Sequence, residues 1–271
     1  MTNCQIPFRN YQMELIDTHA HLTFEPLCQD VEAVLQRSRA AGVTGWITVG
    51  TETDQNNKVA GLIEKFDNLY GTVGIHPHYA EQVTDDDIAQ LKQLAKNEKI
   101  VAIGEAGLDF YRNPSKQREQ ENLFRTQLQI AAELNLPVIV HSREAFEQTM
   151  VILDDFAGKI KNIVLHCFGG PAEQAEIAID RGYYISFTGV VTFKNAENAR
   201  QAAKRVPLDR LMVETDCPFM SPEPVRKQKA NEPAFMVHTA AKLAEIKDVK
   251  LEDLAGFLKK NTKNFFGVNF A

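Results

Sequence analysis

The chain of 271 residues is 44% hydrophobic and 24% charged, and its 30 Lys and Arg against 36 Asp and Glu give a formal net charge of −6. This balance is typical of a globular protein, and 15 glycines and 11 prolines are too few for a collagen-like or low-complexity chain. No apolar run approaches the roughly 18 residues of a membrane helix and no secretory signal opens the sequence, so we expect a cytoplasmic protein without membrane contact.

Short apolar segments alternate along the chain with longer amphipathic ones. Eight short segments have the composition of strands that are covered on both faces: Glu14–Thr18, Gly45–Gly50, Tyr70–Ile75, Ile100–Gly104, Val138–Val140, Ile163–Leu165, Tyr183–Phe187 and Leu211–Val213. Helical periodicity predicts helices at Val31–Ala41, 54–67, the segment after a capping box at Thr84–Asp87, Gln120–Leu134, 144–156, 172–182, 195–205, 233–247 and 251–265.

This alternation predicts an α/β protein with a single (β/α)8 barrel formed by residues 13–271, preceded by a short tail at residues 1–12. An open doubly wound sheet is the rival architecture. Such a sheet normally carries a glycine-rich phosphate turn after its first strand, where this sequence has Thr18-His19-Ala20-His21. The barrel is therefore the better interpretation.

Six of the seven histidines lie at or just beyond the end of a predicted strand: His19, His21, His76, His78, His141 and His166. A single histidine is more often a core or surface residue than a ligand, but chance explains six equivalent positions poorly. In a (β/α)8 barrel the carboxyl ends of the strands meet on one face, and that face carries the active site. We therefore expect these side chains to converge there.

Four of these histidines and two carboxylates form the predicted set of metal ligands. His19 and His21 are two residues apart in an extended segment, so both imidazoles point the same way. The other four members each end an apolar strand segment: Glu105, His141, His166 and Asp216. Because one zinc ion takes three or four protein ligands, six ligands from five strand ends predict two divalent ions.

Two divalent ions at this place favour hydrolysis, since they lower the pKa of a bridging water and polarise the bond that is attacked. Glu105 has two oxygens and can bridge the ions. Asp216 is the candidate general base, because a carboxylate beside metal and water can accept the proton. Imidazole ligands favour zinc or manganese whereas magnesium prefers oxygen, so the identity of the metal stays open between Zn, Mn and Mg.

Two carboxylates and two cysteines lie close to the predicted ligands in the sequence. Asp17 and Glu214 share the parity of neighbouring ligands, so each either orients a ligand by a hydrogen bond or belongs to a buried ion pair. Cys167 and Cys217 each follow a ligand directly, and strand alternation turns them away from the site and into the core.

Several classes of chemistry lack their signatures in this sequence. The four cysteines are scattered and form no CxxC, which argues against a disulfide framework or a structural zinc finger. No GxGxxG, P-loop or GxSxG motif is present, so we expect neither a nucleotide cofactor nor a serine nucleophile.

Six segments resemble the motif series of the TatD family, in the same order: Ile16–Leu22, Gly74–His78, Gly104–Asp109, Pro137–Arg143, His166–Phe168 and Glu214–Pro218. That family comprises metal-dependent hydrolases of the amidohydrolase superfamily, often described as deoxyribonucleases. The similarity extends from Met13 to Asn264-Phe265-Phe266. It implies a distorted TIM barrel and a metal pair on the six ligands with Glu105 bridging, and it implies substrate contacts from His76 and Arg143.

The sequence departs from the family pattern in two places. Residues 1–12 precede the usual start of the family, and the segment before Asn231-Glu232-Pro233 lacks the glycine of an Arg-Gly pair. Because this segment lines the mouth of a barrel, the departure bears on substrate preference.

Three functions are open at this point. The leading hypothesis is a deoxyribonuclease that trims single strands or strand ends, with phosphates held weakly by basic residues that follow the strands: Arg112, Lys116, Arg118, Arg143, Arg226, Lys227 and Lys229. Of these, Lys116 and Lys229 are interpreted as ordinary surface charges. The alternatives are an amide or ester hydrolase, such as an N-acyl or acyl-tRNA deacylase, and a non-catalytic scaffold with structural metals, against which the complete ligand set argues.

Overall fold

A computed structural model describes residues 14–270, so the predicted tail at residues 1–12 and Met13, the predicted start of the domain, lie outside the described residues. Eight parallel strands form one sheet in sequential order: β1 (Leu15–Ala20), β2 (Val43–Val49), β3 (Leu69–Val73), β4 (Ile100–Asp109), β5 (Val138–Arg143), β6 (Ile163–Leu165), β7 (Tyr184–Phe187) and β8 (Leu211–Val213). The helices of this part of the chain are α1 (Val31–Ala40), α2 (Thr53–Ile63), α3 (Asp85–Leu94), α4 (Gln117–Leu134), α5 (Phe146–Asp154), α6 (Ala172–Asp180), α7 (Glu197–Arg205), α8 (Met236–Lys247) and α9 (Leu251–Phe266).

The first and last strands meet and close the sheet into a barrel. Ala20 forms a parallel bridge with Cys217. The backbone N–H of Asp216 donates to the carbonyl of His19 at 2.8 Å, and that of His21 donates to the carbonyl of Cys217 at 2.8 Å. The predicted (β/α)8 barrel is confirmed. At its seam, where β1 meets the segment after β8, His19 and His21 lie beside Asp216.

Apolar side chains fill two regions of the barrel. One surrounds the sheet, between strands and helices, and contains the buried Trp46 and Phe124. The other lies at the amino end of the barrel, where the rings of Phe265, Phe266 and Phe270 from the end of the chain pack under the first residues of the strands. The polar cluster described below lies at the opposite, carboxyl end of the barrel, because its residues stand near the carboxyl ends of the strands.

Two predicted helix starts are confirmed. The carboxylate of Asp30 accepts a hydrogen bond from the N–H of Ala33 at 3.0 Å and caps α1. At α3, Thr84 accepts from the N–H of Asp87 at 3.3 Å while the Asp87 carboxylate accepts from the N–H of Thr84 at 2.9 Å. This is the reciprocal capping box that the sequence indicates.

Three strands extend further than predicted. β1 ends at Ala20 rather than Thr18, β4 at Asp109 rather than Gly104, and β5 at Arg143 rather than Val140. The polar residues and glycines of these extensions are typical of loops in the sequence alone. In the barrel, however, each extension pairs with a neighbouring strand. His19, Glu105 and His141 therefore lie within strands and not after them.

Some helix limits also differ from prediction. The helix expected at 54–67 ends at Ile63, and α4 begins at Gln117, three residues before the predicted start. The helix expected at 233–247 begins with a 3-10 turn at Pro233–Phe235 before α8 starts at Met236. A membrane-crossing length of apolar helix is absent from residues 14–270.

Candidate metal centre

The six predicted metal ligands converge at the carboxyl end of the barrel. They come from five strands: His19 and His21 at the end of β1, Glu105 in β4, His141 in β5, His166 after β6 and Asp216 after β8. His141 is half-buried, and the other five are at most 7% exposed. Buried ionisable groups in such number need partners of opposite charge or a cation.

One group of donor atoms lies at the seam of β1 and β8. The Nε2 atoms of His19 and His21 are 3.2 Å apart, as expected for two residues that point the same way. Asp216 Oδ1 lies 3.2 Å from His21 Nε2 and 3.7 Å from His19 Nε2. Glu105 Oε2 completes the group at 3.5 Å from His19 Nε2 and 3.7 Å from His21 Nε2.

A second group lies around the other oxygen of the same glutamate. Glu105 Oε1 is 2.7 Å from His141 Nδ1 and 2.8 Å from His166 Nε2. These two nitrogens are 3.2 Å apart. The carboxylate of Glu105 thus turns one oxygen to each group.

These distances fit coordination of divalent cations. Four atoms bound tetrahedrally at 2.0–2.1 Å from one ion lie about 3.3 Å apart, and the donor atoms of the first group lie 3.2–3.7 Å from one another. The hydrogen bonding of His21 fits as well, since its Nδ1 lies 3.1 Å from the carbonyl of Val49. That carbonyl requires a proton on Nδ1 and leaves the lone pair of Nε2 facing the other donors.

The electrostatics of the cluster favour positive charge. Burial acts to raise the pKa of Glu105, but His166, His76 and His141 outweigh it and hold the pKa well below its usual range. Burial acts to lower the pKa of His166, but Glu105 and Glu214 outweigh it and raise the pKa well above its usual range. A buried carboxylate that stays ionised attracts cations, whether these are protons on the neighbouring imidazoles or metal ions.

Irregular pairing in two strands aims the ligands into the site. Between Asp17 and Ala20, β1 has one residue more than the facing stretch of β2, and β4 has one more than β5 between Ile103 and Ala106. Such bulges bend a strand and redirect a side chain. Here they occur at His19 and at Glu105.

A glycine allows β4 to lie close to β5 beside a ligand. Gly107 has a φ of +147°, and a Cβ there would lie 2.0 Å from the carbonyl oxygen of His141. This close approach is why the strand pairing continues past Glu105, to Asp109 opposite Arg143.

The structure places the two flanking carboxylates differently. Asp17 accepts hydrogen bonds from the N–H of Thr215 at 2.9 Å and from its hydroxyl at 2.5 Å, across the seam of β1 and β8. Burial raises the pKa of Asp17 to about 7 against these hydrogen bonds. Glu214 Oε1 accepts from the N–H of Cys167 at 2.6 Å and lies 3.5 Å from His166 Nδ1. Glu214 is thus placed to orient an imidazole, whereas the Asp17 side chain contacts Thr215 and the backbone of His19.

His76 is brought to the site, and its neighbourhood contains a carboxylate that the sequence reasoning missed. His76 Nε2 lies 3.6 Å from Glu105 Oε1, and burial lowers its pKa well below the usual range. Asp109 Oδ2 lies 2.8 Å from His78 Nε2 and 3.4 Å from His141 Nε2. The signal for Asp109 was its parity, since it is four residues beyond Glu105 in the same strand.

Arg143 lies at the rim of the site, and its guanidinium stacks on an exposed ring. The guanidinium carbon is 4.1 Å from the ring centroid of Tyr111, which is 64% exposed. No ion pair of Arg143 is found within residues 14–270. In contrast, Lys116 pairs with Glu81 at 2.8 Å, which fits its interpretation as a surface charge, and Arg226 lies 3.8 Å from Glu223. The remaining predicted basic residues are exposed: Arg112, Arg118, Lys227 and Lys229.

The cysteines next to the ligands differ in their surroundings. Cys217 is fully buried in the core, as predicted. Cys167 is half-buried, and its Sγ lies 3.5 Å from the hydroxyl of Thr188 and 3.7 Å from the sulfur of Met220. Burial raises the pKa of both thiols well above the usual range, which disfavours the nucleophilic thiolate.

Comparison with known proteins places this barrel in a family. The family model for TatD-related DNases matches residues 16–267. An uncharacterised metal-dependent hydrolase of Bacillus subtilis is 40% identical over 255 residues, which cover 94% of this chain and all of the relative. A protein of Citrobacter koseri named as the 3′-5′ ssDNA/RNA exonuclease TatD is 35% identical and is also fully covered, by 94% of this chain. The crystal structure of a TatD homologue from Escherichia coli superposes with a TM-score of 0.90 at 33% identity, covering 96% of this chain and all of the homologue. The chain therefore belongs to the TatD family of metal-dependent hydrolases.

Proposed function

We propose that the protein hydrolyses phosphodiester bonds at the ends of single-stranded DNA, using two divalent ions held at the barrel mouth. The observation that carries the proposal is the orientation of the Glu105 carboxylate. Its two oxygens face two separate groups of nitrogen and oxygen donors. A carboxylate that serves two groups at once is suited to bridge two ions.

Each group would supply the protein ligands of one ion. His19, His21 and Asp216 would hold the first ion. His141 and His166, which both lie against Glu105 Oε1, would hold the second, with Glu105 shared between the ions. Two ions of this kind supply an activated water and stabilise negative charge on the phosphate that is attacked.

The remaining chemistry belongs to side chains of the chain itself. The side chain of Asp216 is about one-tenth exposed and faces the histidine pair, so it can take the proton of the attacking water. The carbonyl of Val49 lies 3.1 Å from His21 Nδ1 and orients that ring, and Glu214 Oε1, 3.5 Å from His166 Nδ1, is placed to orient the other. These contacts fix the site before the substrate arrives.

Two features favour a phosphodiester over an acyl substrate. Arg143 presents a guanidinium at the rim without a carboxylate partner in the described chain, and such a group binds phosphate through paired N–H donors. Some relatives, including the protein of Citrobacter koseri, are named as nucleases of single strands. His76, beside Glu105 and half-buried, is the second candidate contact to phosphate.

Digestion of single-stranded DNA by the purified protein with magnesium, manganese or zinc tests the proposal. We expect the wild type to shorten the DNA, and His19→Ala and Glu105→Ala to lose at least about 100-fold in rate, the scale of one catalytic group. His238→Ala is the matched control, because this histidine lies on α8 and not among the ligands.

The proposal fails if the wild type leaves DNA intact, or if the ligand variants cut as fast as the control. A panel of N-acyl and ester substrates without phosphate covers the alternative hydrolase. Turnover of any of them far above that of DNA would show that the site serves acyl transfer to water. Elemental analysis of the active protein should give two ions per chain, and a single ion bound only by protein groups would contradict the bridging role of Glu105.

A further inference from the structure

We propose that Phe219 and Phe24 form a platform on which the base of an unpaired terminal nucleotide stacks. This aromatic platform rests on the proposed function, since it assigns a contact for a single-stranded substrate at the same site. It also supplies a reason why the site would select an unpaired strand.

The rings of the platform lead from a metal-ligand candidate outwards to solvent. Phe24 stacks on the imidazole of His21 with ring centroids 4.8 Å apart and planes 24° apart. Phe219 meets both rings edge-on, at 6.1 Å from His21 and 6.3 Å from Phe24. Phe219 is 48% exposed, so much of an apolar ring faces solvent at the rim of the catalytic cluster.

The backbone holds Phe219 in a fixed position relative to the cluster. Its N–H donates to the carbonyl of Asp216 at 3.0 Å. Its own carbonyl accepts from the side-chain amide of Asn231 at 2.7 Å, and the same amide donates to the carbonyl of Thr215 at 2.9 Å. Asn231 is fully buried, so an exposed ring stands on a rigid support. A preorganised aromatic contact loses little entropy on binding.

A cationic side chain on the other side of the site indicates which kind of ligand would occupy the platform. Arg143 stacks on Tyr111 at the ends of β4 and β5, while the platform belongs to the seam of β1 and β8. A ligand that spans both needs an anionic part for the guanidinium and a flat apolar part for the rings. An unpaired nucleotide has both, whereas the bases inside a duplex are already stacked and paired.

The experiment compares two oligonucleotides that differ only in whether the terminal nucleotides carry a base. Both carry an internal fluorescent label, and in one the residues at both ends are abasic. We measure the affinity from anisotropy and the cleavage from kcat/KM. For Phe219→Ala we expect a loss of about 5- to 150-fold on the oligonucleotide with terminal bases, the range for one base stacked on an aromatic ring. We expect the abasic oligonucleotide to be bound and cut as by the wild type.

Phe257→Ala is the matched control, because Phe257 is 40% exposed on α9 and belongs to neither the platform nor the ligand set. Phe219→Leu keeps an apolar side chain without a ring and should recover only part of the loss. An equal loss on both oligonucleotides, or no loss on either, would overturn the platform while leaving the nuclease intact. Binding that depends on terminal bases and on Phe219, but without cleavage, would overturn the nuclease and leave the platform standing; a wild type that neither binds nor cuts would overturn both.

Discussion

Asp109 contacts both a predicted metal ligand and the loop that follows β4. Its Oδ2 faces both His78 and His141, while its Oδ1 accepts hydrogen bonds from the N–H groups of Tyr111 and Arg112 at 3.0 and 2.9 Å. Burial acts to raise the pKa of Asp109, but His141, the N–H of Arg112 and His78 outweigh it and hold the pKa below its usual range. An ionised carboxylate behind an imidazole fixes the ring and strengthens the nitrogen on the other side as a ligand.

We predict that Asp109→Asn weakens metal binding by about 10- to 100-fold, the usual cost of losing a carboxylate behind a ligating histidine. The amide keeps the shape of the side chain but not its charge, so His141 loses an anionic partner. Titration of the metal-free protein with zinc or manganese, followed by calorimetry, measures the dissociation constant.

Asp86→Asn is a suitable control, since Asp86 is an exposed residue in the first turn of α3. Circular dichroism of both variants separates a change in metal affinity from a loss of folding. An unchanged dissociation constant for Asp109→Asn would show that Asp109 serves the loop after β4 and not the ligand.

At the scale of elements, periodicity in the sequence is sufficient to predict the eight strands and their order, because buried strands of a barrel are apolar on both faces. It also identifies the six residues that converge at the carboxyl end of the barrel, since each ends a predicted strand segment. The extension of β4 could not be predicted, because Gly104 and Gly107 are loop signals unless the course of β5 is known. The hydrogen bonds of Asp17 to Thr215 were equally out of reach, since they depend on how β1 meets β8.

Lys247 joins two neighbouring helices and provides a test of element packing. Its ammonium group donates to the carbonyls of Ala203, Lys204 and Val206 at 2.5–3.2 Å, where α7 ends. The last carbonyls of a helix have no partners within it, so a cation there both binds them and interacts favourably with the helix dipole.

We predict that Lys247→Met lowers the free energy of unfolding by about 1–2 kcal/mol, because the methionine cannot bond to the three carbonyls. For a chain of this size the shift in Tm is about 2–8 °C. Lys242→Met is the control on the same helix, since Lys242 pairs with the exposed Glu245 at 2.7 Å on the surface. Thermal unfolding by circular dichroism checks both, and equal shifts would show that the contact to α7 contributes nothing of its own.

The two ends of the barrel differ in composition: the amino end is packed with apolar rings, and the carboxyl end holds the polar cluster. At the amino end, Phe270 fills the space under Gly45 so closely that a Cβ on Gly45 would lie 2.3 Å from its ring. At the carboxyl end, buried histidines and carboxylates take the place of apolar side chains and are able to hold a cation. Loops at the mouth can therefore vary in sequence while the apolar amino end maintains the barrel.

The net charge of the whole molecule determines how strongly it attracts an anionic polymer such as DNA. With 30 basic against 36 acidic residues, the chain has no general attraction for DNA, so the affinity must come from a few contacts at the mouth. Arg143 is the best-placed cation among the described residues, since Lys116 already pairs with Glu81 and Arg226 lies near Glu223.

We therefore predict a shallow salt dependence for single-stranded DNA. Each phosphate neutralised on a single strand contributes about −0.7 to the slope of log affinity against log salt, so two or three contacts give a slope of about −1.4 to −2.1. Anisotropy titrations at several KCl concentrations, with the metal held constant, measure this slope, and Arg143→Ala should reduce its magnitude by about 0.7. A slope steeper than about −4 would mean six or more phosphate contacts and a strand bound along the surface. Such a result would contradict an enzyme that holds only the end of its substrate, because the stacked terminal base and one guanidinium could not account for it.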